Sequence, residues 1–342
     1  MKKFLNLMFA LLLGSAVNAQ DHEPYFTKSL SKSNINEVYA RTSGGSITVS
    51  GVPSSETRIE VYVRSNGGQD EFSKDEIKKR LEEDYDLNVS VSGGKLSAIA
   101  KAKQSNLNWK RTLNISFKVY VSRNVSTDLR TSGGAITLIN LSGTQNFSTS
   151  GGGLHIENLS GKIYGRTSGG GIRISDSQDD INLSTSGGGI EADNCRGNLA
   201  LSTSGGSISM NVLQGTIKAR TSGGPVNGSK IKGELIAHTS GGGVSLRDLA
   251  CSIDASTSGG SMDIEIKELG AYVTASNSGG SIRLSMPGEK GLDLKLRAER
   301  IKIDGLRNFS GEQDEHKVNG SMNGGGIPVD VHTSGNITIA LQ

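Results

Sequence analysis

The chain has 342 residues, with 37 Lys+Arg against 34 Asp+Glu, 47 glycines and only 5 prolines. Glycine at about twice average usage with so little proline excludes collagen and polyproline linkers, and ample aliphatic residues with little net charge exclude a disordered chain. The even charge balance gives no basic footprint for nucleic acid, and 4% aromatic content argues against a bulky-cored enzyme domain.

Residues 1–19 have the form of a secretory signal peptide: Lys2 and Lys3, an apolar stretch over 4–13 too short to span a bilayer, and Val17-Asn18-Ala19 as the cleavage site. Export to the periplasm, outer surface or medium is expected, with no transmembrane segment in the mature chain. The next part, 20–130, is expected to be a small α+β elaboration. Alternation predicts a strand over 58–64. Ser73 and Glu76 form a capping box, and Ile77, Leu81 and Tyr85 place a helix over 74–84. A hairpin follows over 87–91 and 96–101 around Gly93-Gly94, then a strand over 113–121.

From 131 to 286 the sequence repeats. Thr-Ser-Gly-Gly begins at Thr131, Thr149, Thr167, Thr185, Thr203, Thr221, Thr239 and Thr257, always 18 residues apart, and Asn277-Ser278-Gly279-Gly280 follows after 20. An isolated copy stands at Thr42 and a degenerate one at Thr333. With Thr as position zero, positions +5, +7, +14 and +16 are mostly aliphatic and those between them mostly polar, the period-two pattern of strands with one buried face. Asn or Asp at +9 and Gly at +12 mark a turn between the two strands of each unit. Neither strand can bury its face alone, so the units must stack.

The expected fold is all-β: a single-chain parallel β-solenoid of 18-residue coils, two short strands per coil, with the crossover preference favouring a right-handed winding. A hexapeptide left-handed helix would need aliphatics at +11, where Ser142, Ser160, Gln178 and Arg196 stand. Nonapeptide calcium coils would need an Asp in every turn. The Thr column is read as hydroxyls stacked on one another. Cys195 and Cys251 fall three coils apart, beyond disulfide reach, so two free buried thiols are expected. Residues 287–342 are expected to cap the far end with strands over 292–296, 301–303, 327–331 and 337–341.

No catalytic motif stands out. The five histidines lack partners at metal-ligand spacing, no cofactor site is recognisable, and Asp176, Asp179 and Asp180 are read as a solvated acidic turn, although three close carboxylates could hold calcium. Coils held at 18 residues leave no room for the long loops that build enzyme clefts on β-helices. Position −1 carries Arg130, Arg166, Arg220 and His238 among serines. If it faces outward, it forms a hydroxyl-rich strip with forked Arg donors suited to sugar hydroxyls or anionic glycan.

The signal peptide, the β-rich N-terminal part with one short helix, the tandem Ser-Gly-Gly coils and the last strand, His332-Thr333-Ser334-Gly335-Asn336-Ile337-Thr338-Ile339, resemble over about 40–340 a bacterial domain-of-unknown-function family labelled "putative adhesin", related to auto-transporter adhesin heads. The resemblance implies a β-solenoid in or beyond the bacterial envelope and offers no catalytic residues to carry over. The function expected is therefore non-catalytic presentation of a repetitive Ser/Gly/Arg surface to glycan or envelope components. The alternative is a glycan-active enzyme with a site in the flanks, around Trp109 or 312–316. Ice binding would favour outward Thr-x-Thr, which the repeat lacks.

Overall fold

The computed structural model describes residues 23–66, 73–104 and 112–342; the expected signal segment and Trp109 lie outside the described residues. Parallel pairing joins residues 18 apart: Ser142 with Ser160, Ile190 with Ile208, Val226 with Val244. One sequence repeat is therefore one coil, and the strands link into one continuous sheet wound around a common core. This is the all-β solenoid that the alternation predicts.

Each coil has two strand segments, as in Ile136–Ile139 and Ser142–Thr149, meeting at a corner. The corner residue at +9 adopts left-handed backbone in seven successive coils, from Asn140 to Asp248, with φ between 48° and 58°. Asn and Asp tolerate this region; Val212 and Lys230 occupy it against their preference. From Ile190 onward the ladder runs through the corner, so Ile190–Thr203 is one bent strand.

Positions +5, +7, +10, +14 and +16 point inward and form one aliphatic column, with Ile156, Ile163, Ile174 and Leu183 fully shielded from solvent. Burying each such side chain stabilises by roughly 1.5–3 kcal/mol. Side-chain volumes compensate between coils. Gly165 lies beneath Phe147, whose ring comes within 2.5 Å of where a Gly165 Cβ would stand. The polar exceptions are satisfied: Gln145 donates to the Val125 carbonyl at 2.7 Å and accepts from Thr127 at 2.8 Å, and Ser177 donates to the Ser175 carbonyl at 2.8 Å and accepts from the Leu159 N–H at 3.1 Å.

The Thr column works differently from the hydroxyl stack expected from sequence. Thr149 Oγ1 donates to the Gly134 carbonyl of the preceding coil at 2.8 Å and accepts from the Gly152 N–H of its own coil at 3.3 Å. Thr167, Thr185, Thr203, Thr221, Thr239 and Thr257 donate in the same way. The physical reason is that the glycine turn leaves backbone polar groups without ladder partners, and a buried hydroxyl beside them satisfies both. The two glycines also differ. A Cβ at Gly188 would meet the Gly170 oxygen at 2.2 Å, whereas at Gly187 its nearest neighbour would be 3.5 Å away. Coil stacking demands the second glycine, not the first.

The copies of the repeat outside 131–286 belong to the same stack. Glu37–Arg41 and Ile47–Gly51 lie directly against the coil of Ser126–Arg130 and Ile136–Ile139. Their other edges pair with Lys95–Ala102 and Leu113–Val121, which form the terminal coil. The chain thus lays down its second rung first, builds the cap, and returns. The far end mirrors this. Ile327–Thr333 and Asn336–Leu341 insert between the coil of Met262–Asn277 and Ile282–Met286 and an outer layer of Leu292–Arg297 and Arg300–Asp304. At both ends a coil near the chain terminus is held between two others.

The remaining irregularities have local causes. The 20-residue interval before Asn277 is absorbed by a bulge, in which Ala271 N–H donates to Ser252 Oγ at 2.8 Å. Asn277 then takes over the Thr role, donating to the Gly260 carbonyl at 2.7 Å. At the near end the helix Lys74–Asp84 is capped by Ser73 Oγ, which accepts from Glu76 N–H, and packs through Leu81. The strands Tyr85–Ser92 and Lys95–Ala102 form the expected hairpin, with Gly93 and Gly94 at positive φ. At the far end Phe309–Gln313 and Lys317–Met322 form an antiparallel hairpin over Leu292–Arg297, two strands the sequence pattern did not suggest.

Candidate functional site

Because Thr at position zero is buried, strand alternation turns position −1 outward. Register then fixes the column from the near end: Arg41 pairs with Arg130, which is followed by Ser148, Arg166, Ser184, Ser202, Arg220, His238, Ser256, Ser276, His332 and Arg297. At ~4.8 Å per rung the column runs for some 53 Å. Arg130, Arg166 and Arg220 are exposed and His238 is half-buried. Arg130 and Arg166 flank Ser148, and Arg220 and His238 are neighbours; Ser184 and Ser202 separate the two pairs. Arg41, His332 and Arg297 also stand on the column and were missed, because only the folding back of the chain at each end places them there.

The electrostatics are uneven along the column. Arg41 Nη2 holds Asp128 Oδ2 at 2.7 Å, leaving Arg130 Nε at 3.9 Å from the other carboxylate oxygen. His238 Nε2 lies 3.4 Å from Asp254 Oδ2 without completing a hydrogen bond. Among the described residues, Arg166 and Arg220 have no carboxylate at ion-pair distance. Next to this column runs an exposed serine column at position +1, from Ser43 through Ser132, Ser150 and Ser168 to Ser334.

Shallow grooves cross the outer faces of the coils. One of about 610 Å³ lies over the first strand segments, between Arg173 and Arg247. Its polar residues bond along the stack: Asn211 donates to Asp193 and accepts from Ser229, and Arg173 pairs with Glu191. A second, of about 700 Å³, follows the +9 corners past Val212, which is 41% exposed. A third, of about 260 Å³, lies between the rungs of Arg130 and Arg166 beside Tyr164.

The other groups singled out from sequence have structural partners. Asp176 accepts from Asn194, Asp179 from the Gly161 N–H and Asp180 from Asn198, so the three carboxylates face different partners. Among the described residues no cluster of His, Cys, Asp or Glu could hold a metal ion. Over 312–316, Glu312 pairs with Lys317, Asp314 accepts two backbone N–H groups, and Glu315 pairs with Arg300. Cys195 and Cys251 are free and buried, and burial pushes their thiols up to about 11 and about 12. Among the described residues no helix is long and apolar enough to cross a membrane.

Solved structures similar to this chain include one described as a "putative cell adhesion protein" from Clostridium sporogenes, 11% identical over 93% of this chain and 98% of that one, at a TM-score of 0.20. Another is described as a "putative adhesin" from Bacteroides fragilis, 14% identical over 93% of this chain and 96% of that one, at a TM-score of 0.23. No curated protein matches the sequence. The sequence model of the Toastrack DUF4097 family matches residues 114–340, which is most of the chain and takes in every coil from Thr131 to Thr333. The chain belongs to the Toastrack DUF4097 family.

Proposed function

We propose that this protein is an exported, non-catalytic rod that presents its position −1 column to glycan or other cell-envelope material. The observation that carries the reading is the unbroken outward register from Arg41 to Arg297, in which Arg166 and Arg220 have no carboxylate partner among the described residues. Unpaired guanidinium groups on a rigid sheet keep their forked donors free for carboxylates, sulfates or hydroxyls, and a rigid sheet loses little entropy on binding. The signal-like segment 1–19 supports export.

The experiment is a glycan array with the chain from Gln20 onward beside a variant carrying Arg130→Gln, Arg166→Gln, Arg220→Gln and His238→Gln. The expected result is binding to a subset of acidic glycans that the variant loses while its circular dichroism spectrum is unchanged. Equal binding by the two proteins would overturn the reading.

A further inference from the structure

The groove beside Tyr164 differs from the rest of the column. Tyr164 is 42% exposed, one of three large hydrophobic side chains so placed among the described residues. On its column the register neighbours are Asn146 on one side and Asn182 on the other. On the adjacent column Arg166 and Arg130 lie two rungs apart, ~9.6 Å between backbones, with the short Ser148 between them. The short residues Ser148 and Asn146, set between rungs bearing Arg130 and Arg166, leave the hollow of about 260 Å³. Its floor is firm: Gly165 has no side chain, and the Phe147 ring fills the space beneath it.

The charge in this hollow is unbalanced. Asp128 is the carboxylate lining it, and Arg41 already holds that carboxylate at 2.7 Å. Among the described residues Arg166 has no carboxylate partner, and Arg130 keeps only the 3.9 Å approach to Asp128. Arginines on the rungs either side of a serine can bring two guanidinium groups to one carboxylate, which accepts a fork from each side. An exposed tyrosine ring offers a flat apolar face with a polar tip, and flanking amides both donate and accept.

We infer that the hollow formed by Arg130, Ser148, Tyr164 and Arg166 binds a single acidic sugar residue of a glycan, a uronic acid, with its carboxylate between the two arginines and its pyranose face on Tyr164. Asn146 and Asn182 meet the ring hydroxyls. The inference rests on the proposed glycan-presenting role and localises it to one of the column's two Arg-bearing pairs; the Arg220 and His238 pair has no exposed aromatic side chain among its register neighbours.

The test is calorimetric titration of the chain from Gln20 onward with trigalacturonic acid, its methyl ester and a sulfated disaccharide at low salt. The acid should bind and the ester should bind at least tenfold more weakly. Arg166→Gln and Tyr164→Ala should each weaken acid binding about tenfold, and Arg283→Gln, at an exposed position off the column, should leave it unchanged. Failure of trigalacturonic acid to bind, or full binding by Tyr164→Ala, would overturn the site. Tighter binding of the sulfated disaccharide would overturn the carboxylate assignment. If the two cleft variants bind acidic glycans as the wild type does while the four-residue variant does not, this site falls and the broader role stands.

Discussion

Thr131 Oγ1 donates a hydrogen bond of 2.8 Å to the carbonyl of Gly45, a residue 86 positions earlier in the chain. From Thr149 to Thr257 each repeat threonine makes the same bond to a glycine carbonyl 15 residues earlier, as Thr149 does to Gly134. One hydroxyl thus joins the rod to a coil that the chain laid down before it built the near-end cap. Thr333 does the same at the far end, donating to the Gly280 carbonyl across 53 residues.

Removing one such hydroxyl leaves a buried carbonyl and a turn N–H short of a partner. Thr185→Val should therefore lower stability by about 1–3 kcal/mol, and Thr185→Ser by much less, because serine keeps the oxygen that bonds Gly170 and Gly188. Urea titrations followed by circular dichroism measure the difference. A larger loss in Thr185→Ser than in Thr185→Val would show that the methyl group, not the hydroxyl, matters.

The paired glycines should separate in a substitution series. Gly188→Ala drives a Cβ to 2.2 Å from the Gly170 oxygen, and the backbone must shift; Gly187→Ala meets only ordinary contacts from 3.5 Å. The expected outcome is a large drop in melting temperature for the first and a change within about 0.5 kcal/mol for the second. The pair also separates what stacking requires from what keeps the outer strip thin.

Val212 holds a φ of 53°, a region costly for a β-branched side chain, at a site 41% exposed. Five of the seven coils place Asn or Asp there, at Asn140, Asn158, Asp176, Asn194 and Asp248. Val212→Asn should stabilise by about 1 kcal/mol, read as a higher urea midpoint. A lower midpoint would mean that the valine packs usefully in the corner groove.

Acid should loosen the far-end cap first. Asp293 sits below the ordinary aspartate value because it accepts from Ser321 and from the Gly326 N–H; Asp314 does so because it accepts from the His316 and Lys317 N–H groups. A carboxyl lowered in the folded state contributes stability that is present above its unfolded value, near 3.8, and is lost as pH falls through the lowered native value. Amide exchange in Lys317–Met322 should rise below about pH 4 before exchange in Ile208–Arg220 does. The reverse order would contradict this account of the cap.

The thiols carry the opposite sign. Burial raises Cys195 to about 11 and Cys251 to about 12, from 9.0. A raised acid contributes stability that is complete below the unfolded value and falls away as pH rises through the folded one, so stability should decline above about pH 9. At pH 8 the native chain should resist iodoacetamide and react at both cysteines once unfolded. Rapid native labelling would show that these coils open.

The coils were legible because each column repeats one chemical role: a strict 18-residue phase with aliphatics at +5 and +7 admits few folds. The helix and the Gly93-Gly94 hairpin were legible because caps and turn residues act locally. The ends were not, since parallel pairing leaves no mark on the distance between partners. Thr42 with Ile47 and Val49 at +5 and +7 was the available signal, as was Thr333 at the other end. Of the candidate site, the outward column was legible and the hollow was not, although Arg130, Ser148 and Arg166 were already aligned with Tyr164 two residues before the last of them.

The central claim is that the rod is one stack whose terminal coils are inserted out of chain order, and a disulfide test addresses it most directly. Ser132 N–H donates to the Ser43 carbonyl at 3.1 Å, which makes the two serines neighbours on adjacent rungs. Adjacent rungs are ~4.8 Å apart, within disulfide reach, and Ser43 and Ser150 are two rungs apart, beyond it. The account predicts that Ser43→Cys with Ser132→Cys oxidises to a crosslinked native chain and that Ser43→Cys with Ser150→Cys does not. Crosslinking of the second pair and not the first would contradict it.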